Sequence, residues 1–269
     1  ILIAYRDDHK DHALASACIA VAGPVHGGEA QMTNLNWLIQ DHDIATSLSV
    51  DRVGILNDLQ AQGYALPLIG TDKLQTVQQG HASTAKATRL VIGIGTGFNA
   101  APSYDLGHSI FVPPAEAGHI RLPVSNPEEA EIAQFVSGKN GFASVEHILS
   151  GRGLERLDQF YHRASTRKAS DILMAAQAQD TDALRVVAQF ARFAGSVAGD
   201  LALTVLPFGG IYFIGGVARA MLPYMTADTF GAAFSDKDRF ATFNEQFSVQ
   251  VIEDDFAALR GCAGYAQSM

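Results

Sequence analysis

The residue types best suited to chemistry in this chain fall in a few short groups. Asn57-Asp58 follow the apolar run Arg52-Val-Gly-Ile-Leu56. Polar residues at the carboxyl end of a strand, before a helix, stand where α/β sheets bind ligands. An aspartate there can face a ligand, or it can simply be the helix N-cap, a common use of Asp that needs no ligand. In Gly93-Ile-Gly-Thr-Gly97, glycines alternate and Thr96 stands between the last two. Glycine lets the backbone take positive φ and approach a ligand closely. Successive N–H groups then form an anion site to which a threonine hydroxyl adds a donor. The same residues also fit an ordinary hairpin turn. They are not a dinucleotide fingerprint, because position 98 is Phe and no helix pattern follows.

Other groups lie further along. Glu116 and His119 stand three apart with Gly118 between them. Pro113, Pro114 and Gly118 argue for a loop, and a carboxylate with an imidazole on one loop suits a polyhydroxyl ligand. A polar surface loop is the plain alternative, and a zinc site would need further ligands nearby. Glu146 falls in the first turn of a helix capped by Ser144, where a carboxylate favours the helix dipole without any function. Gly215-Gly216 follow the apolar run Ile211-Tyr-Phe-Ile214 and precede a helix near Ala218. Strand, Gly-Gly, helix is a phosphate geometry, and also a common tight connection. Thr33-Asn-Leu-Asn-Trp37 sets Asn34 and Asn36 beside the sole tryptophan, able to grip a polar ligand or to fix a turn.

These groups need an α/β frame to position them. Strands are expected over 15–22 and 52–56, on either side of the glycine turn within 89–102, over 108–114, between the glycine pairs of 208–217, and over 247–252. The runs between 89 and 114 suggest an antiparallel meander opening a mixed sheet. Helices are expected over 41–48, 59–66, 127–135, 144–149, 154–163, 170–178 and 256–267. Gly151-Arg-Gly153 is read as a helix break, and Asp255 as the cap of the last helix. Residues 181–206 read as a long helix, apolar on most sides, its small residues letting it lie close to a sheet until Pro207 ends it. The polar stretch 69–88 is the expected crossover between domains.

Composition narrows the function. The 269 residues suffice for two domains, and the 17% charged content predicts a folded core. The net charge of −9, from 28 acidic and 19 basic residues, argues against a nucleic-acid surface. An anionic ligand would have to be held by backbone amides, isolated cations or Mg²⁺. Cys18, in an apolar run, reads as a buried small hydrophobe, and with Cys262 as the only other cysteine neither a disulfide framework nor a cysteine zinc site is expected. No uninterrupted apolar stretch of membrane-spanning length and no signal-peptide pattern is present, so the cytoplasm is the expected compartment.

Taken in order, these motifs resemble the bacterial glucokinases, of the sugar kinase, heat-shock ATPase and actin superfamily. The resemblance covers 20–37, with Gly23-Pro24 and Met32-Thr-Asn-Leu-Asn-Trp37, then Ile55-Leu-Asn-Asp58, 93–97, 116–119, 146–153, 208–216 and 232–240. It implies a two-domain α/β fold of the actin-like ATPase (ribonuclease H-like) type with a ligand cleft. The small domain is expected over 1–68 plus 258–269, and the large domain over 69–257. The implied reaction moves the γ-phosphoryl of ATP to a hexose hydroxyl, giving glucose 6-phosphate. By the same resemblance Asp58 is the catalytic base, and Asn57, Glu116, His119 and Glu146 bind sugar, with Asn34 a further candidate. Gly95, Thr96 and Gly97 form the second phosphate loop, Gly215 and Gly216 the nucleotide turn, and Mg²⁺ bridges the phosphates. A homodimer is implied as well.

Two departures stand out. The family begins with a strand hairpin carrying Asp-x-Gly-Gly-Thr, and this sequence enters the pattern at the helix after it. A missing segment is the preferred explanation, since losing central strands would expose sheet edges. Phe98-Asn99 also replaces a glycine common after the loop. Alternatives are a non-catalytic sugar-binding regulator and a kinase for another hexose. The lack of a cysteine zinc cluster argues against the repressor-and-kinase branch.

Overall fold

The computed structural model describes residues 2–11, 13–32, 35–83 and 86–269, and the backbone alone of Asn140. The chain divides into two compact units, one of Ile1–Thr71, Ser103–Pro114 and Asp254–Met269, the other of Asp72–Pro102 and Ala115–Glu253.

In the first unit, strands Ala17–Val21 and Val53–Asn57 pair in parallel, with Val21 opposite Asn57. The crossover between them holds a small antiparallel ribbon, Val25–His26, Glu29–Gln31 and Leu38–Gln40, and the helix Asp41–Leu48. Helices Asp58–Ala65 and Ala257–Ser268 pack backbone to backbone, because a Cβ at Gly261 would overlap the Ala61 carbonyl. The last helix is not capped by Asp255: Phe256 holds the N-cap position without a side-chain cap bond, and Asp254 accepts from the Phe256 N–H at 2.9 Å. Cys18, expected to be buried, is half-buried and packs beside buried Cys262, both as free thiols.

Segment 103–114 groups with this unit, although the sequence reading assigned it to 69–257. The bonds that anchor it are specific. Ser103 Oγ donates to the Gly63 carbonyl at 3.1 Å, and Gln60 Nε2 to the Val112 carbonyl at 3.0 Å. Its expected strand, 108–114, shrinks to Ile110–Phe111. Pro113 and Pro114 have no N–H to extend a ladder.

The second unit is built on a mixed sheet. Ile211–Ile214 is its centre, parallel to Val249–Ile252 on one side and to Arg89–Ile94 on the other. Leu74–Gln78 adds antiparallel to Val249–Ile252, and Phe98–Asp105 follows Arg89–Ile94 in the strand order. Leu74–Gln78 lies inside the stretch read as a polar crossover. It is an edge strand with mostly open side chains, so it gives the sheet its backbone without an apolar signature.

Thr181–Val205 is the long core helix. Asp180 caps it by accepting from Ala183 N–H at 2.8 Å, and left-handed Leu206 (φ 49°) closes it one residue before Pro207. Its mean hydropathy of 1.2 and its length would suit a membrane span, but 72% of that window is buried within the protein. Its glycines allow close approach, but to the helical segment 230–234 and not to the sheet. A Cβ at Gly195 would overlap the Phe230 carbonyl, and Asn244 Nδ2 links the carbonyls of Gly199 and Phe234 at 3.2 and 2.9 Å.

Gly151-Arg-Gly153 does not break a helix. Ser150 Oγ accepts from Gly153 N–H at 3.0 Å, so the helix Gly151–Tyr161 starts there. On that helix Asp158 is fully buried and takes hydrogen bonds from Ser165 and from Arg167, whose Nε lies at 3.1 Å. Burial alone would push its carboxyl pKa up, but the bonds from Arg167, Ser165 and His162 outweigh that and hold it below the ordinary value.

Gly195→Ala is expected to cost about 1–3 kcal/mol by forcing the helix from the Phe230 backbone, seen as a lower thermal midpoint with KM values unchanged. For Asp158, a folded pKa below the unfolded value of about 4 means that its stabilisation is complete above that pH and fades as pH falls through the lower folded value. Asp158→Asn should therefore lose about 3 kcal/mol in urea unfolding at neutral pH. The difference from wild type should shrink below about pH 4.

Candidate active site

In the first unit the candidate residues sit at the end of Val53–Asn57. The helix cap is Asn57, not Asp58. Asn57 Oδ1 accepts from Leu59 N–H at 2.9 Å, the Gln60 side chain accepts from Asn57 N–H at 3.1 Å, and Asn57 Nδ2 donates to the Gly23 carbonyl at 3.1 Å. Asn was the better cap here because Gln60, three residues on, completes a reciprocal box. Asp58 is thus the first helical residue and is relieved of capping. Its Oδ1 accepts from Leu59 N–H at 2.8 Å, and among the described residues no side chain hydrogen-bonds to its carboxyl. The residue is exposed by surface area, yet desolvation from surrounding protein atoms pushes its pKa up, against the pull of backbone N–H bonds from Leu59 and its own residue. Asn34 lies outside the described residues.

In the second unit the two glycine turns are brought together by strand pairing. Ile214 is opposite Gly93, so both turns leave the carboxyl ends of adjacent parallel strands. Gly215 has φ 108° and lies so close to the Ile94 backbone that a side chain there would overlap it. At Gly95 and Gly216, by contrast, nothing stands within 4 Å of where a Cβ would be, so the space on that side of each residue is open. Thr96 is exposed between the flanking glycines. The helix after Gly216 is short, Gly216–Met221.

Glu116, His119 and Glu146 gather beside the first turn. Glu116–Ile120 forms a single 3-10 turn, Ala117–His119, rather than an open loop, and His119 Nε2 lies 4.0 Å from Glu116 Oε2. Residues 120–122 then run against 143–145, through Leu122 N–H to Ala143 O at 2.9 Å and Val145 N–H to Ile120 O at 3.0 Å. That places Glu146 next to the Glu116 turn: a Cβ at Gly118 would meet the Phe98 carbonyl and, at 3.4 Å, Glu146 Cβ. The expected helix over 144–149 is one 3-10 turn, Val145–His147, because 143–145 is held extended by that pairing. Glu146 is half-buried, and its Oε2 accepts from Phe98 N–H at 3.0 Å.

Asn99 was noticed only as a departure from the family pattern. Its Nδ2 donates to Ala115 O at 2.6 Å and its Oδ1 accepts from Ala117 N–H at 2.9 Å, so it pins both sides of Glu116. An amide at a position where glycine was expected was the available signal. Ser150, hidden beside a supposed helix break, donates from Oγ to Glu146 O at 2.9 Å. Near the site, His147 has its pKa lowered by burial and by Arg156, which donates to the His147 carbonyl at 3.0 Å. A pocket of about 340 Å³ in this unit lies elsewhere, between Gln78 and the Ala227–Gly231 turn, and includes none of the candidate residues.

The arrangement can therefore do two things: present bare backbone to an anion, and present carboxylates and an imidazole to hydroxyls. The sequence pattern of the family described as Glucokinase matches residues 1–269. A glucokinase of Mesorhizobium japonicum (strain LMG 29417) is 34% identical over 260 residues, spanning 94% of this chain and 76% of the relative. Among solved structures, the glucokinase from an Antarctic psychrotroph superposes with a TM-score of 0.88 at 27% identity, covering 99% of this chain and 84% of that one. A ROK family glucokinase from Streptomyces griseus, in complex with glucose and AMPPNP, superposes with a TM-score of 0.66 at 20% identity, over 97% and 84%. The mixed α/β fold is that of the actin-like ATPase sugar kinases. Matched along its whole length, the chain belongs to the glucokinase family and is a hexose kinase.

Proposed function

We propose that the chain transfers the γ-phosphoryl of ATP to the 6-hydroxyl of glucose, giving glucose 6-phosphate and ADP. The observation that carries this is the contact of the Gly95–Gly97 turn with the candidate sugar ligand Glu146, whose carboxylate lies against Gly97 and accepts from Phe98 N–H. Family membership supports the activity, and the AMPPNP and glucose bound by the Streptomyces griseus neighbour support the substrates.

In this reading Asp58 orients the 6-hydroxyl. The oxygen attacks the γ-phosphorus, the bond to the β,γ-bridging oxygen breaks, and the proton passes to the Asp58 carboxylate late in the step. Phosphoryl transfer asks mainly for positioning and charge stabilisation, so a carboxylate base suffices. Glu116, His119 and Glu146 hold the sugar hydroxyls, and Asn57 holds Asp58 in place through its cap. Gly95, Thr96 and Gly97 receive donor phosphates, and Gly215 and Gly216 the rest of the nucleotide. Mg²⁺ would supply charge neutralisation at the phosphates. Among the described residues no three His, Cys, Asp or Glu side chains cluster as a cage, which suits an ion held chiefly by phosphate and water. A homodimer in the cytoplasm completes the proposal, and light scattering checks the dimer.

Asp58→Ala is expected to lower kcat by at least about 100-fold in a coupled ADP-release assay while glucose still binds by calorimetry; near-normal turnover would remove Asp58 from the mechanism. Because the Asp58 pKa is raised, the acid limb of kcat/KM should lie above the ordinary carboxylate value, with activity lost as pH falls through it. Asn99→Ala frees the Glu116 turn and should raise KM for glucose several-fold with little change in KM for ATP. A sugar panel in the same assay that shows no preference for glucose would redirect the proposal to another hexose.

A further inference from the structure

Segment 144–153 is tied to the glycine turn more firmly than sugar binding requires. Phe98 N–H donates to Glu146 Oε2 at 3.0 Å, and Gly151 N–H donates to the Gly95 carbonyl at 2.9 Å. Within the turn, Gly95 N–H donates to the Gly97 carbonyl at 2.9 Å. A Cβ at Gly97 would run into the Glu146 carboxylate, so the side chain lies directly against the turn. Glu146 is itself fixed from behind, since Ser150 Oγ donates to its carbonyl at 2.9 Å while capping the next helix. A carboxylate has two oxygens and about four acceptor sites. Oε2 on the Phe98 amide therefore leaves Oε1 for another donor.

We propose that Glu146 is a positioning residue for the phosphoryl donor as well as a sugar contact: its carboxylate holds the Gly95–Gly97 turn through the Phe98 amide, so one side chain sets the register between sugar hydroxyl and donor phosphates. The inference rests on reading Gly95–Gly97 as the phosphate turn. A hydrogen bond with an ionised partner is short and directional, and it is among the stronger ones a backbone amide can make. Without it the turn is still closed by Gly95 and Gly97 and still tied to Gly151, but it loses the bond that fixes it against Glu146 beside the Glu116 turn. Such a release displaces the phosphates relative to the hydroxyl, and near-attack geometry tolerates little displacement.

The test is Mg-ADP affinity measured by calorimetry with no sugar present, in wild type, Glu146→Gln and Glu146→Ala. Glutamine keeps an oxygen for the Phe98 amide, so its ADP affinity should stay within about twofold of wild type, whereas alanine should lose about tenfold. Both variants should bind glucose more weakly. Hydrogen exchange at the Phe98 amide should accelerate in Glu146→Ala and not in Glu146→Gln. Gly97→Ala is the second variant: its methyl pushes the carboxylate off the amide, and it should show the same faster exchange and weaker ADP binding. If Glu146→Ala and Gly97→Ala bind ADP as wild type does, Glu146 serves the sugar alone and the inference falls while the proposed function stands. If the wild-type protein binds no ADP, the phosphate-turn reading fails and takes the inference with it.

Discussion

The second unit depends on one pairing, that of Ile211–Ile214 in parallel beside Arg89–Ile94. Parallel neighbours end at the same edge of a sheet, and their following turns must therefore lie side by side. Here both turns are glycines, and the register with Ile214 opposite Gly93 puts Gly215 against the Ile94 backbone. A one-residue slip would reverse the faces of the strand and part the turns. The buried faces of these strands, among them Leu90, Ile92, Ile211 and Phe213, hold the register through the core they share with the helix Thr181–Val205.

The side chains proposed to bind sugar are held by a different means. Glu116, His119 and Glu146 stand on irregular backbone, which takes its shape from specific hydrogen bonds and not from helix or sheet periodicity. Asn99 replaces a ladder partner for Ala115 and Ala117, and the Phe98 amide takes Glu146. The start of strand Phe98–Asp105 thus anchors both Glu146 and the Glu116 turn. In a chain with net charge −9 the proposed anion site is glycine backbone and not a basic patch, and the nearby Glu146 carboxylate is engaged with the Phe98 amide.

In the first unit the corresponding economy is the division of labour between Asn57 and Asp58. A carboxylate that caps a helix has its oxygens committed to backbone N–H groups. With Asn57 and Gln60 closing the cap between them, Asp58 keeps its carboxyl free of side-chain hydrogen bonds among the described residues. The pair Asn-Asp at a strand end is thereby more than two polar residues in a turn: the first takes the structural duty that would otherwise occupy the second.

What the sequence alone determined was the order of elements and the chemistry on offer. Helix Asp41–Leu48, the long helix ending just before Pro207, and the strands around Gly93–Gly97 and Gly215–Gly216 were legible from periodicity and from Gly and Pro punctuation. The candidate residues were legible as motifs in series. Tertiary structure alone decided the rest. Leu74–Gln78 becomes a strand because a sheet edge needs only its backbone, and 103–114 joins the first unit because Ser103 and Val112 find Gly63 and Gln60 far away in sequence. Gly151 and Gly153 begin a helix because Ser150 caps it, and 144–149 stays short of a helix because 143–145 is paired. Asn57 rather than Asp58 caps because the Gln60 side chain accepts from its backbone N–H while its own side-chain amide is anchored on the Gly23 carbonyl. Each of these outcomes turns on a contact between residues distant in sequence or on one hydrogen bond choosing between near-equal local options, and neither leaves a periodic trace in the chain.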